Sequence, residues 1–190
     1  MLDLRPPAGD KMKNLFALLL FALLTVPAFA QDQAAAARAA AGCGPDKVQF
    51  DVQTDKHQHS GSQPEAGKAL VYVFENEKRD RDALPILNVT TRIGLDGQWV
   101  GANHGNSYFF FSADPGDHDV CTSWQSSLTM YSKLASAASL TAEAGKVYYF
   151  QTTVDQRNHH QPGVRIKPVD PAEAKLLLAA SSLSNSHPKK

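Results

Sequence analysis

Cysteine is scarce in this chain, long apolar runs are missing, and neither sign of charge is in excess. Nineteen basic residues balance nineteen acidic ones. Such a chain has no field to draw in a phosphate backbone, so nucleic acid is not an expected partner. Also missing are a Gly-rich phosphate loop, a G-x-S-x-G elbow, a C-x-x-C pair and any known zinc-ligand spacing. No enzymatic activity and no cofactor are therefore expected. With 43% hydrophobic and 20% charged residues, the composition rules out collagen-like, coiled-coil and disordered chains. The length of 190 residues suits one modest domain with its own core.

The one concentrated apolar stretch is Leu15 to Val26, behind Lys11 and Lys13 and ahead of Pro27-Ala28-Phe29-Ala30. It falls short of the roughly 20 residues that a membrane-spanning helix needs. Its basic flank, apolar centre and small residues at Ala28 and Ala30 are the parts of a secretory signal peptide, residues 1–30, with cleavage before Gln31. Met12 begins a more conventional leader than Met1 and is the alternative start. Gln31 rather than cysteine follows the cleavage point, so the product is expected to be exported to the periplasm or medium, without a lipid anchor and without a transmembrane span. In such a compartment Cys43 and Cys121 permit one disulfide. Two buried free thiols are the alternative.

Residues 31–46 are rich in alanine, lack an amphipathic stripe and read as a tether. The folded domain is expected over residues 47–182. Val48, Phe50 and Val52 alternate with polar residues, as on a half-buried strand, and residues 54–68 read as an exposed loop. Ala69 to Phe74 has the character of a strand buried on both faces. Val89 to Leu95 leads through Asp96-Gly97, a strong two-residue hairpin signal, into Gln98 to Val100. Tyr108 to Phe111 is followed by Asp114-Pro115-Gly116-Asp117, which suits a type II turn, and by a returning strand that carries His118. Residues 128–140 suit a loop, a short helix or a strand. Strands are expected at Val147 to Val154 and Val164 to Lys167. Asp170-Pro171-Ala172-Glu173 then announces a helix, with Leu176, Leu177 and Ala180 as its buried stripe. Residues 183–190 read as a disordered polar tail. About seven short strands and one C-terminal helix make this a mainly β chain, a small antiparallel β-sandwich.

The order ALVYVF (69–74), DGQWVG (96–101), GNSYFFF (105–111), PGDHDV (115–120), AGKVYYF (144–150) and PVDPAEAKLLL (168–178) resembles the bacterial envelope family called domain of unknown function 2846. The resemblance spans most of residues 66–180. It implies a secreted or lipid-anchored β-sandwich module, similar in appearance to PEGA-type domains with their P-G-x-H turn. This chain departs from the lipoprotein pattern by lacking the lipid-bearing cysteine. The family supplies no catalytic residues to carry over.

Several groupings remain as candidate sites. No metal is expected; the weak candidates are His57 and His59 in one loop and His159 and His160 in another. Asp96, Gly97, Pro115, Gly116 and His118 are expected to form structural turns, His118 bonding across its turn to backbone or to a neighbouring aspartate. Consecutive aromatics cannot all point inward, so either Phe109 with Phe111, or Tyr108 with Phe110, must leave the core face. Phe109 and Phe111 are the candidate contact surface. The resulting expectation is a non-catalytic secreted or periplasmic module that acts as an interaction scaffold for an envelope protein or glycan. The alternative is a periplasmic protein that binds a small ligand or metal.

Overall fold

The computed structural model describes residues 43–57, 61–78, 89–126, 132–155 and 163–190. The expected leader with both candidate starts, the tether up to residue 42, and His59, His159 and His160 lie outside the described residues. The described chain runs β1 (Phe50–Asp55), β2 (Ala69–Lys78), β3 (Thr90–Leu95), β4 (Gln98–His104), β5 (Ser107–Ala113), β6 (Gly116–Gln125), β7 (Ala135–Ala142), β8 (Val147–Asp155), β9 (Gly163–Pro168), α1 (Pro171–Ala180) and β10 (Ser182–Pro188). The strands form a six-stranded sheet, β1-β10-β5-β2-β8-β9, facing a four-stranded sheet, β4-β3-β6-β7. The sandwich is thus present, with ten strands among the described residues in place of about seven. The stretch left open between residues 128 and 140 contributes β7.

Pairing is not uniformly antiparallel. β2 lies parallel to β8, and β10 lies parallel to β5. Parallel neighbours need a long crossover. Among the described residues, the crossover between β2 and β8 is built from β3, β4, β6 and β7 of the facing sheet, together with β5. A search for crossover helices in the sequence therefore misses it.

β2 is apolar on both faces because both are covered. Ala69, Val71 and Val73 pack with Phe109, Phe150, Ile93, Val120 and Leu140 between the sheets. Leu70, Tyr72 and Phe74 pack on the opposite face with Tyr108, Ala174 and Leu183, and with the half-buried Phe110, Tyr149, Leu177 and Leu178. Helix α1 thus adds a third layer. This corrects the expected contact surface: Phe109 is buried between the sheets and Phe111 packs half-buried beside it. Gly101 makes room for the Phe109 ring, since a Cβ there would sit 2.6 Å from Phe109 Cε2. The alternation rule holds, but the face that Tyr108 and Phe110 occupy is a second core.

The helix starts as its sequence predicts, with Asp170 Oδ1 accepting from the amides of Ala172 and Glu173 at 2.9 and 3.0 Å. Its buried stripe differs from the expectation. Ala174, Leu177 and Leu178 face the sheet, at the i, i+3, i+4 spacing of a helix face, whereas Leu176 is 74% exposed and Ala180 is exposed.

The tail also needs correction, because residues 182–188 form β10. This strand pairs with β1 from Phe50↔Pro188 to Asp55↔Leu183. Its serines fasten it: Ser184 Oγ donates to Ser107 Oγ at 2.7 Å, and Ser186 Oγ accepts from the Ala102 amide at 3.0 Å. The second of these contacts closes one side of the sandwich between β10 and β4. On the other side the Ile166 amide of β9 donates to Ser136 Oγ of β7 at 3.3 Å. The edge strands β4, β7 and β9 are therefore each bridged to the facing sheet, a common way of blunting strand-to-strand aggregation.

Candidate functional site

The two predicted turns meet at one end of the sandwich. Asp96 and Gly97 both take positive φ, 49° and 82°, as a two-residue type I′ hairpin between β3 and β4 requires. Pro115 and Gly116, the latter at φ 138°, turn the chain between β5 and β6. β3 and β6 are neighbours, so Asp96 lies beside His118 and Asp119 across the ladder. Its amide donates to the Asp119 carbonyl at 3.1 Å, and its Oδ1 accepts from the Asp119 amide at 2.9 Å.

His118 completes the cluster. Nδ1 lies 2.6 Å from Asp96 Oδ2, and Nε2 lies 2.7 Å from the Asp114 carbonyl oxygen. The imidazole thus ties the β3–β4 hairpin to the β5–β6 turn. Lys68 Nζ, just ahead of β2, donates to Asp114 Oδ1 at 2.6 Å, and Thr141 Oγ1 of β7 donates to Asp117 Oδ1 at 2.6 Å. A shallow depression of about 230 Å³ beside these groups is lined by Asp96, Asp117, His118, Asp119, Ser139 and Leu140.

The electrostatics follow from these contacts. Burial alone would disfavour charge on Asp96, but hydrogen bonds from His118 and the Asp119 amide hold its carboxyl below the usual range. Burial likewise opposes a charged His118, and is outweighed by the bond to Asp96, the bond to the Asp114 carbonyl and the two aspartate charges, so its pKa is raised. The hydrogen bond between Lys68 and Asp114, reinforced by their opposite charges, lowers the carboxyl and raises the ammonium. The pair is solvent-exposed, and such pairs contribute little to stability.

A second constellation lies on the outer face of the four-stranded sheet. Cys43 and Cys121 are joined by a disulfide, with Cα atoms 5.2 Å apart, so the expected bridge is present. It fastens a strap, residues 43–48, across β3, β4 and β6. Beneath the strap lies Arg92, only 3% exposed. One of its terminal nitrogens donates to the carbonyls of Asp46 and Val48 at 2.9 and 2.8 Å, and the other donates to Ser123 Oγ at 3.0 Å. The guanidinium also stacks on Trp99, 4.4 Å from the ring centroid, and the indole N–H donates to the Pro45 carbonyl at 2.9 Å. Burial pulls the Arg92 pKa down, with the Asp46 charge opposing. The folded domain therefore begins by Cys43, inside the stretch read as tether.

Of the sequence-derived candidates, the turn residues Asp96, Gly97, Pro115, Gly116 and His118 come together, and so do the two cysteines. His57 is exposed, and its amide donates to Asp55 Oδ1 at 2.8 Å. Among the described residues no three His, Cys, Asp or Glu side chains are grouped to hold a metal. Sequence reasoning missed Arg92 as the strap's anchor and Lys68 as the partner of Asp114. It also missed Glu75, buried between the sheets with its Oε2 accepting from Thr91 Oγ1 at 2.5 Å. Arg92 shares the polar face of its alternating strand with Thr90 and Gly94, so the sequence carried no signal for its burial.

The model of the family described as "Protein of unknown function (DUF2846)" matches residues 65–164. The chain belongs to this family. The DUF2846 region runs from just before β2 to the start of β9, and thus holds the whole four-stranded sheet, the turn cluster and Cys121. Cys43, β1, α1 and β10 lie outside it. No curated protein matches the chain, and no solved structure does. Among the described residues, no helix is long and apolar enough to cross a membrane.

Proposed function

We propose that this DUF2846 protein is an exported, non-catalytic module of the cell envelope, whose rigid sandwich serves as a scaffold for contact with an envelope protein or glycan. The Cys43–Cys121 bridge carries this reading, because such bonds persist in oxidising compartments. It agrees with the leader-like residues 1–30. The turn cluster supports the non-catalytic part: both ring nitrogens of His118 and both carboxylate oxygens of Asp96 are engaged in joining turns. They are spent on architecture.

Cell fractionation with thiol alkylation tests the reading. The expected product starts at Gln31, lies outside the cytoplasm and takes up alkylating reagent only after reduction and unfolding. Crosslinking in the same intact cells should yield discrete adducts with an envelope component. A full-length product in the cytosol with two reactive thiols would overturn export, and the scaffold role would fall if no adduct formed.

A further inference from the structure

The ring of His118 sits between two groups that can only accept. The Asp114 carbonyl has no hydrogen to give, and the Asp96 carboxyl is held ionised by the Asp119 amide on its other oxygen. A neutral imidazole has one N–H and can satisfy only one of them; an imidazolium donates to both. We propose that His118 is a proton-controlled pin, which as the imidazolium locks the β3–β4 hairpin to the β5–β6 turn and on losing its proton releases one of the two.

Every neighbouring element agrees with this charge. Asp96 reaches His118 from the hairpin, and Asp114 from the preceding turn, with Lys68 paired behind Asp114. Asp117 and Asp119 flank it on β6. From β7, Leu140 stands opposite, between Ser139 and Thr141, none of them ionisable near neutrality. The Asp96 and Asp114 charges thus both favour the charged ring, and the Lys68 ammonium nearby is paired with Asp114. The side chain of His118 is 12% exposed, so little water reaches the ring to replace a lost partner. Its raised pKa follows from these contacts. A group raised on folding stabilises fully below its unfolded value, ordinarily 6.5, and that contribution is lost as pH climbs through the folded value. The pin therefore holds fully below pH 6.5 and loosens as the pH climbs through the raised value of the folded ring. Release frees the end of the sandwich where the depression lined by Asp96, Asp117, Asp119, Ser139 and Leu140 opens. The device is independent of the scaffold reading.

Nuclear magnetic resonance of the oxidised protein, with the histidine ring nitrogens labelled, provides the test. Both His118 nitrogens should remain protonated above pH 6.5, and hydrogen-exchange protection of the Asp119 amide should fall on the same titration. Asp96→Asn keeps an acceptor oxygen but removes its charge, and should move the titration down. His118→Gln should flatten the pH dependence of thermal unfolding; if that variant does not fold, the titration of the unaltered chain decides. A neutral His118 ring at pH 6.5, or a titration that Asp96→Asn leaves in place, would overturn the proposal.

Discussion

Gly44 shows how closely the strap is fitted. A Cβ at this position would lie 2.5 Å from Trp99 Cδ1 and 2.7 Å from Cγ and Nε1. The indole has nowhere to retreat, held as it is by the Pro45 carbonyl on one side and stacked on Arg92 on the other. Gly44→Ala should therefore destabilise the protein by about 1–3 kcal/mol, the usual cost of overpacking. Chemical unfolding would show it, and a change in Trp99 fluorescence should accompany it. An unchanged midpoint would mean that the strap is not seated on the indole. Arg92 illustrates the limit of reading residues singly. It occurs in an alternating strand where a solvated face is the ordinary expectation, and is buried because a segment more than forty positions earlier lies across it.

At the scale of the element, α1 separates what local rules determine from what packing decides. Its start is local: Asp170, Pro171 and Glu173 provide the cap, the constrained first residue and the first-turn acid, and the helix begins there. Its rotation is not local. Leucines at 176, 177 and 178 allow more than one apolar stripe, and the aromatic floor of Tyr72, Tyr108 and Tyr149 selects the one through Ala174, Leu177 and Leu178. Leu176→Ala should leave stability within about 0.5 kcal/mol, as surface changes do. Leu177→Ala, which removes a half-buried side chain, should cost about 1–2 kcal/mol, below the fully buried range. Thermal or denaturant unfolding of the two variants compares them directly, and the reverse order would place the wrong face against the sheet. β10 makes the same point more strongly. Ser-Leu-Ser-Asn-Ser-His-Pro has no hydrophobic alternation, and it is a strand because β1 and β5 offer it their open edges.

For the molecule as a whole, the disulfide closes a loop across a sequence separation of 78. Chain-entropy reasoning gives such a loop about 4–5 kcal/mol of stabilisation, by restricting the unfolded chain. Reduction, or Cys43→Ser, should lower the denaturation midpoint accordingly while leaving the β-rich circular dichroism spectrum in place. Equal stability of the oxidised and reduced forms would contradict it. The bridge joins the DUF2846 region to a segment outside it, and β10 with β1 extends the larger sheet beyond that region too. Segments at the two ends of the described chain thus complete a fold whose centre is the family's own.

Residue order alone determined the mainly β character, the Asp-Gly hairpin, the Pro-Gly reversal, the helix cap and which two cysteines a disulfide would have to join. Each depends on backbone preference or counting within a few positions, or on there being only one partner. Tertiary structure alone decided that the chain packs in three layers, that β2 and β8 run parallel, that the polar C-terminal stretch is a strand, and that His118 spans two turns. Those outcomes depend on which surfaces meet across long sequence separations, and neither hydrophobic period nor turn chemistry encodes a meeting between residues so far apart.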